Sequence, residues 1–220
     1  GSLDTSFDTD GMVTTDFRTS PSDISPMAQA FSVALQSDDR IVLAGAFFKF
    51  FSNGWDFALA RYNANGSLDT SFGGTGKVIT DIGGAWTSGS GDAAASVAIQ
   101  SDGKILAAGS ANPLAAGNSD FALARYNTDG TLDTSFGIGG KVTTNFGSTT
   151  DFGKSAAIQS DGKIVVAGQL GDYPSADFAL ARYNTDGSLD ASFDTDGKVT
   201  TNFGGWDLGQ SVALQSDGGI

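Results

Sequence analysis

The sequence predicts an all-β protein built from four-stranded antiparallel units, three of them complete and one split between the two ends of the chain. Two observations lead to this prediction. Four short phrases recur in a fixed order along the 220 residues, and the composition favours turns over helices. Every one of the 25 acidic residues is Asp, a poor helix former, and 31 residues are Gly. Because 40% of the residues are hydrophobic, the chain can also bury a core.

Each unit contains four β-like segments, which we name a, b, c and d. In the second unit they are Ser96–Gln100, Lys104–Gly109, Phe121–Asn127 and Lys141–Phe146. Segments b and c are nearly continuous apolar runs, which is typical of strands covered on both faces. Segment d alternates in polarity and reads as a more exposed outer strand. The phrase Ser-Asp-Gly-Lys between a and b predicts a two-residue hairpin turn.

Four antiparallel strands in a unit of about 60 residues are typical of a β-propeller blade. The phrases SVAIQSDGKI, DFALARYNTDGSLD and GKVTTNF resemble the delta-sixty repeat, a bacterial β-propeller-like family. The resemblance covers almost the whole chain. It implies a β-propeller fold and an extracellular or bacterial cell-surface location, and it carries over no catalytic residues. A β-solenoid is the competing fold, but its coils are usually shorter and lack a hairpin in every unit.

The chain is expected to be one repeat domain, with repeats at about 1–65, 66–129, 130–186 and, in part, 187–220. Its first residue falls within a c–d connector, and Ile220 falls at the start of a b strand. Three complete blades and a split partial blade are few for a closed propeller, which needs about four to eight blades. We therefore expect a fragment of a longer propeller. Completion by a second copy, or an unusually compact ring, are the alternatives.

The connectors between c and d barely change from one unit to the next, which predicts a shared structural role. Each contains a Leu and a Phe that we expect to plug into the blade. An Arg near the end of strand c precedes an Asp of this connector by eight residues in each of the three complete units. We predict blade-internal ion pairs, with bidentate geometry. The pairs are Arg61–Asp69, Arg125–Asp133 and Arg182–Asp190.

The b–c and d–a loops differ in every unit. Because strand direction alternates, these loops lie together on one edge of the array, opposite the connectors. Binding residues are often found on loops that a rigid scaffold positions, so we place any ligand site here. Aromatic side chains on these loops could stack on sugar rings, anchor a protein partner or mediate self-association. The candidates are Phe48, Phe51, Trp55, Trp86, Tyr173 and Trp206.

Two connectors also contain Asp-x-Asp-Gly, which resembles the first half of a calcium-binding loop. The candidate ligands are Asp8, Asp10, Asp194 and Asp196. No Glu follows at the closing position, and the other units have Gly or Thr in the same places. Exchange of Asp for Gly is also what a tight turn tolerates, since both residues accept positive φ. Calcium is therefore the one cofactor that the sequence suggests, and a turn role is the alternative.

The composition excludes most catalytic machinery. Without His, Cys or Glu, the chain has no Ser-His-Asp triad, no thiol nucleophile and no histidine or thiolate zinc site. The net charge of −13 disfavours nucleic acid, and no apolar run is long enough for membrane insertion. We predict a non-catalytic binding or assembly scaffold with a protein or glycan partner, or self-association through the split blade. A calcium-stabilised structural repeat and an Asp-dependent hydrolase are the alternatives.

Overall fold

The computed structural model describes residues 1–18, 27–49, 54–83, 91–114, 118–148, 150–172 and 174–220. Its twelve strands form three antiparallel sheets of four strands each. In every sheet the strands lie in the order a, b, c, d, so each sheet corresponds to one predicted unit, and we call it a blade. No helix occurs within these ranges, and hence none that could cross a membrane.

The strands of the three blades have closely similar bounds. Blade 1 contains β1 (Met27–Leu35), β2 (Ile41–Lys49), β3 (Gly54–Tyr62) and β4 (Lys77–Thr80). Blade 2 contains β5 (Ala93–Ile99), β6 (Ile105–Leu114), β7 (Asn118–Tyr126) and β8 (Lys141–Thr144). Blade 3 contains β9 (Asp151–Ile158), β10 (Ile164–Leu170), β11 (Asp177–Tyr183) and β12 (Lys198–Thr201). Strand β1 contacts β5, and β5 contacts β9, so the a strands line the inner side of the array.

The core lies between the blades, because the side chains on the two faces of strand c pack against different neighbouring blades. In the phrase Phe-Ala-Leu-Ala-Arg-Tyr, the Phe and Leu pack towards the following blade, and the two Ala and the Tyr pack towards the preceding one. At the first junction Phe57 and Leu59 therefore meet Ala122, Ala124 and Tyr126, all of them buried. Large side chains against small ones allow two sheets to approach closely without voids.

A β-bulge in every a strand explains an obligatory glycine in the neighbouring b strand. The register shifts at Ala30/Ser32 in blade 1 and at Ala94/Ser96 in blade 2, and blade 3 has the same irregularity. Opposite the bulge of blade 2 lies Gly109, where a Cβ atom would come within 1.9 Å of the Ala93 carbonyl oxygen. Only glycine fits such an approach of two backbones.

Two details of the predicted fold are corrected. The d segment near the N-terminus and the a segment near the C-terminus were expected to be strands, but residues 12–17 and 206–215 form none. Each packs on its neighbouring blade, but no strand of its own unit pairs with it among the described residues. The a–b turn is also not a two-residue loop: Gly103 donates to Gln100 O, and only Gly103 has positive φ, so the turn spans Ser101–Gly103.

Candidate functional site

The connector edge is organised by one arginine in each blade. Nε of Arg61 lies 2.8 Å from Oδ2 of Asp69, and the same contact measures 2.8 Å at Arg125–Asp133 and 2.7 Å at Arg182–Asp190. The contact uses one oxygen only, because Oδ1 accepts the hydroxyl and backbone N–H of a Ser two residues further on, such as Ser71. The predicted bidentate geometry is therefore wrong.

The same arginines also join neighbouring blades. Nη1 of Arg61 donates to Thr128 O of blade 2, and Nη1 of Arg125 donates to Thr185 O of blade 3. Each guanidinium lies over the Phe of its own connector, at 4.6 Å for Arg61 on Phe72. Arg61 is only 1% exposed, so its charge depends entirely on these protein contacts.

Electrostatics keep these connector carboxylates ionised. Burial alone would raise the pKa of Asp133, but hydrogen bonds from Ser135 and Lys104 and the charge of Arg125 outweigh it and hold the pKa far below its usual range. At Asp190 the hydrogen bond from Lys163 makes the largest contribution to a similarly lowered pKa. A second cation thus reinforces each arginine, and the carboxylates serve as permanent anchors of the scaffold.

The four predicted calcium ligands occupy tight turns. Asp8 and Asp194 both have φ of 45°, as expected where other units have Gly. Oδ1 of Asp10 accepts the backbone N–H of Met12, and Oδ1 of Asp196 accepts that of Lys198. Asp8 and Asp10 lie before blade 1, whereas Asp194 and Asp196 lie in the blade 3 connector. The geometry of each pair is that of a turn.

The aromatic candidates of the loop edge are only partly described. Phe51, Trp86 and Tyr173 lie outside the described residues. The rings of Phe48 and Trp55 are half-buried and 5.4 Å apart, and Trp206 is 54% exposed. The neighbouring Phe47 is buried against Phe17. The described aromatic surface of the loop edge is therefore smaller than the sequence suggests.

Sequence reasoning missed a set of aspartates that close the d–a loops. Oδ2 of Asp92 accepts the N–H of Ile82 and of Gly83, at 2.7 and 3.1 Å, and its Oδ1 accepts that of Asn112 at 3.2 Å. Asp151 and Asp207 hold the ends of the preceding d strands in the same way. The signal was present, since each of these Asp residues stands four residues before the first Ser of segment a.

Carboxylates also converge at the first blade junction. One oxygen each of Asp56, Asp81 and Asp92 lies within 4.8 Å of the others, the one such group of three acids among the described residues. Burial raises the pKa of Asp92, and the charge of Asp81 raises it further. The three N–H donors lower the pKa but do not cancel this rise. At the second junction the place of Asp81 is taken by Asn145, whose amide donates to Asp120 at 2.8 Å.

These carboxylates have structural partners that limit their chemistry. Burial raises the pKa of Asp120, and the nearby Asp151 adds to that rise. A pair of close carboxylates with a raised pKa is also what acid–base hydrolysis requires. Asp151, however, is fully buried and accepts from Phe146 N and from the Ser148 hydroxyl. Asp151 thus helps to close the second junction.

Comparison with known proteins agrees with the architecture. Residues 36–72, 100–136 and 159–193 match the model of a β-propeller family described as a domain of unknown function (DUF5122). Each match begins at the end of a strand a and runs through b, c and the first part of the connector, so it contains one Arg–Asp pair. The search of curated proteins found no match. Together, the three sheets and the three matching segments identify this chain as a β-propeller repeat protein.

Proposed function

We propose that this chain is a non-catalytic, secreted or cell-surface scaffold whose loop edge binds a protein or a glycan. One observation carries the proposal: the connectors barely vary and are held by the same Arg–Asp contact in each blade, whereas the loops at the loop edge differ from one another and include exposed aromatic surface. We further propose that the repeats are of the delta-sixty type, on the strength of the phrases quoted above.

The contrast in exposure at the two edges supports this placement. At the connector edge Phe72 and Phe136 are fully buried beneath their arginines, so they are unavailable to a partner. At the loop edge Trp206, after blade 3, is 54% exposed, and the pair Phe48 and Trp55 of blade 1 is half-buried. Trp supplies a large contact area to sugar rings and protein partners at a small cost in conformational entropy.

The absence of His, Cys and Glu from the sequence supports a non-catalytic role. The buried carboxylates of Asp92 and Asp151 accept backbone N–H groups, so they already serve the fold. A binding function needs neither a nucleophile nor a general base, and it places no constraint on the loops beyond shape and polarity.

The proposal is tested by screening the full chain on an array of defined glycans and against a displayed peptide library. We expect Trp206→Ala to weaken any binding by about tenfold or more. Ile138→Ala is the matched control, because Ile138 is 88% exposed on the connector edge. Equal losses in the two variants, or no binding in either screen, would contradict the proposal.

A further inference from the structure

The two blade junctions contain the same set of hydrogen bonds. We use this set to identify the groups that a third junction would need. In both, a c-strand Tyr donates to the Thr that ends the preceding d strand: Tyr126 to Thr80 and Tyr183 to Thr144, each at 2.9 Å. A connector amide of the preceding blade also donates to a turn carbonyl of the following one, as Gly73 N does to Asp129 O at 2.8 Å. The arginine Nη1 contact described above completes the set.

The outer face of blade 3 has the groups that the preceding blade contributes at the other two junctions. It carries Phe178 and Leu180, the counterparts of Phe57 and Leu59, on the side that packs towards a following blade. Phe178 is 38% exposed, whereas Phe57 and Phe121 are fully buried. The large-residue face of this blade is therefore formed but incompletely covered.

Polar groups on the same face lack the partners that their counterparts have. The side chain of Arg182 is 18% exposed, against 1% for Arg61, and among the described residues its Nη1 has no carbonyl partner of the kind that Arg61 has. Thr201, the counterpart of Thr80 and Thr144, is exposed, and within the same ranges no Tyr hydroxyl reaches it. These groups are positioned for the small-residue face of another blade.

The C-terminal segment covers only the inner part of this face. Asp207 N donates to Ala176 O at 2.7 Å, as Asp92 N donates to Trp55 O at the first junction. Gly209 approaches the Gly168 carbonyl as Gly153 approaches that of Gly109. The segment thus takes the place of an a strand, and beside it a cavity of about 250 Å³ extends over Ala167, Phe178 and Leu180.

We propose that this outer face of blade 3 is a docking surface for the b and c strands of a further repeat unit of the same pattern. The occupant presents two Ala and a Tyr from its c strand, directed at Phe178, Leu180 and Thr201. Its Tyr hydroxyl donates to Thr201 Oγ1, and a carbonyl of its Asp-Gly turn accepts Arg182 Nη1. Such docking would continue the pattern of the two junctions that the chain already contains.

A second copy of this chain fits the surface less well. Blade 1 of a second copy has the required face of two Ala and a Tyr, formed by Ala58, Ala60 and Tyr62. The Tyr62 hydroxyl, however, already bonds Thr15 of the N-terminal segment, which takes the place of a preceding d strand. Docking would therefore displace that segment from one copy and residues 206–220 from the other, whereas a b–c strand pair displaces neither.

The test extends the full chain beyond Ile220 with a second copy of the sequence of residues 165–205. This continues the repeat in phase, because Ile220 occupies the place of Ile164. Burial of a face like those of the internal junctions should raise Tm by about 10 °C or more. A control extension writes the strand Phe-Ala-Leu-Ala-Arg-Tyr as Ala-Phe-Ala-Leu-Tyr-Arg, which keeps the composition but inverts the two faces.

We expect the control to give less than a third of the rise in Tm. Thr201→Val should lower Tm in the extended chain and leave Tm of the 220-residue chain unchanged. Equal stabilisation by the two extensions, no stabilisation by either, or the same effect of Thr201→Val in both chains would overturn the proposal. Sedimentation of the 220-residue chain provides a further check: a dimer weakened by Thr201→Val would make a second copy the occupant, which also overturns it.

Discussion

The connector edge and the loop edge of the array use aspartate in opposite ways. At the connector edge, Asp69, Asp133 and Asp190 are buried beside a guanidinium, and their pKa values are lowered. At the loop edge, Asp92 and Asp151 are buried without an ion pair among the described contacts, and their pKa values are raised. One residue type thus serves as a fixed charge at one edge and as a backbone cap at the other. The difference shows that the first edge repeats both its loops and its contacts, whereas the second combines a repeated loop-closing Asp with loops that differ from one unit to the next.

The arginines provide the largest predicted effect and an internal comparison. Arg61→Ala leaves Asp69 buried without its main partner and removes a bond to blade 2, so we expect a loss of about 3–5 kcal/mol in the free energy of unfolding. Arg182→Ala should cost clearly less, because that side chain is more exposed and makes no such bond to a following blade among the described residues. Chemical denaturation of both variants measures the difference. Equal losses would mean that the blade-to-blade contact is unimportant.

The glycine opposite the bulge gives the next largest effect. Gly109→Ala brings a methyl group within 1.9 Å of a backbone oxygen, and we expect a loss of about 3 kcal/mol. Gly139→Ala is the control. Its φ of 61° strains an alanine backbone, but the added methyl group contacts no neighbouring atom, so we expect a loss of about 1 kcal/mol in the free energy of unfolding. Thermal unfolding of the two variants compares them. The bulge would not require glycine if Gly139→Ala were the more harmful change.

The two edges should respond to pH in opposite directions. The lowered pKa values of Asp69, Asp133 and Asp190 stabilise the fold above the unfolded value of about 3.8, and this stabilisation is lost as pH falls through and below that value. The raised pKa values of Asp92, Asp120 and Asp151 have the reverse effect, so stability declines as pH rises above about 3.8.

We therefore expect Tm to reach its maximum in mildly acidic buffer and to decrease on both sides of it. Asp120→Asn should reduce the decrease on the neutral side and leave the acid side unchanged, because the amide oxygen can still accept from Asn145. Melting curves between pH 3 and 8 provide the measurement. A steady rise in Tm up to neutral pH would show that the loop-edge carboxylates do not destabilise the fold.

The smallest predicted effect concerns the first junction. Asp81→Asn copies the arrangement at Asn145 and removes a like charge beside Asp92, so we expect a gain of about 0.5–1 kcal/mol in chelator. Asn145→Asp should cause a loss of similar size. Melts of the parent chain and of Asp81→Asn with excess calcium, compared with chelator, complete the test. A loss of stability in Asp81→Asn that occurs only with calcium would contradict a purely structural role for these acids.

The repeated phrases were sufficient to predict the four-strand blades and their strand order, because each complete unit contains the same four segments and the same turn residues. The Arg–Asp contacts could be anticipated from a constant spacing of eight residues. The bond from Arg61 to Thr128 could not, because it joins different blades and depends on how the sheets stack. The role of Asp92 was missed for a related reason: its partners Ile82 and Gly83 lie across a loop of variable length. The end segments were overpredicted as strands because a strand pattern alone does not supply a pairing partner.

The most direct test of the contrast between the edges is amide hydrogen exchange across the whole chain. The amides of Asp69, Asp133 and Asp190 donate to the carbonyls of Arg61, Arg125 and Arg182 at 2.8–2.9 Å. If the connectors belong to the scaffold, these three amides should exchange only through global unfolding, at the rate of the b and c strands, and the amides around Trp206 should exchange much faster. Connector amides that exchange as fast as those of the loop edge would contradict the central claim.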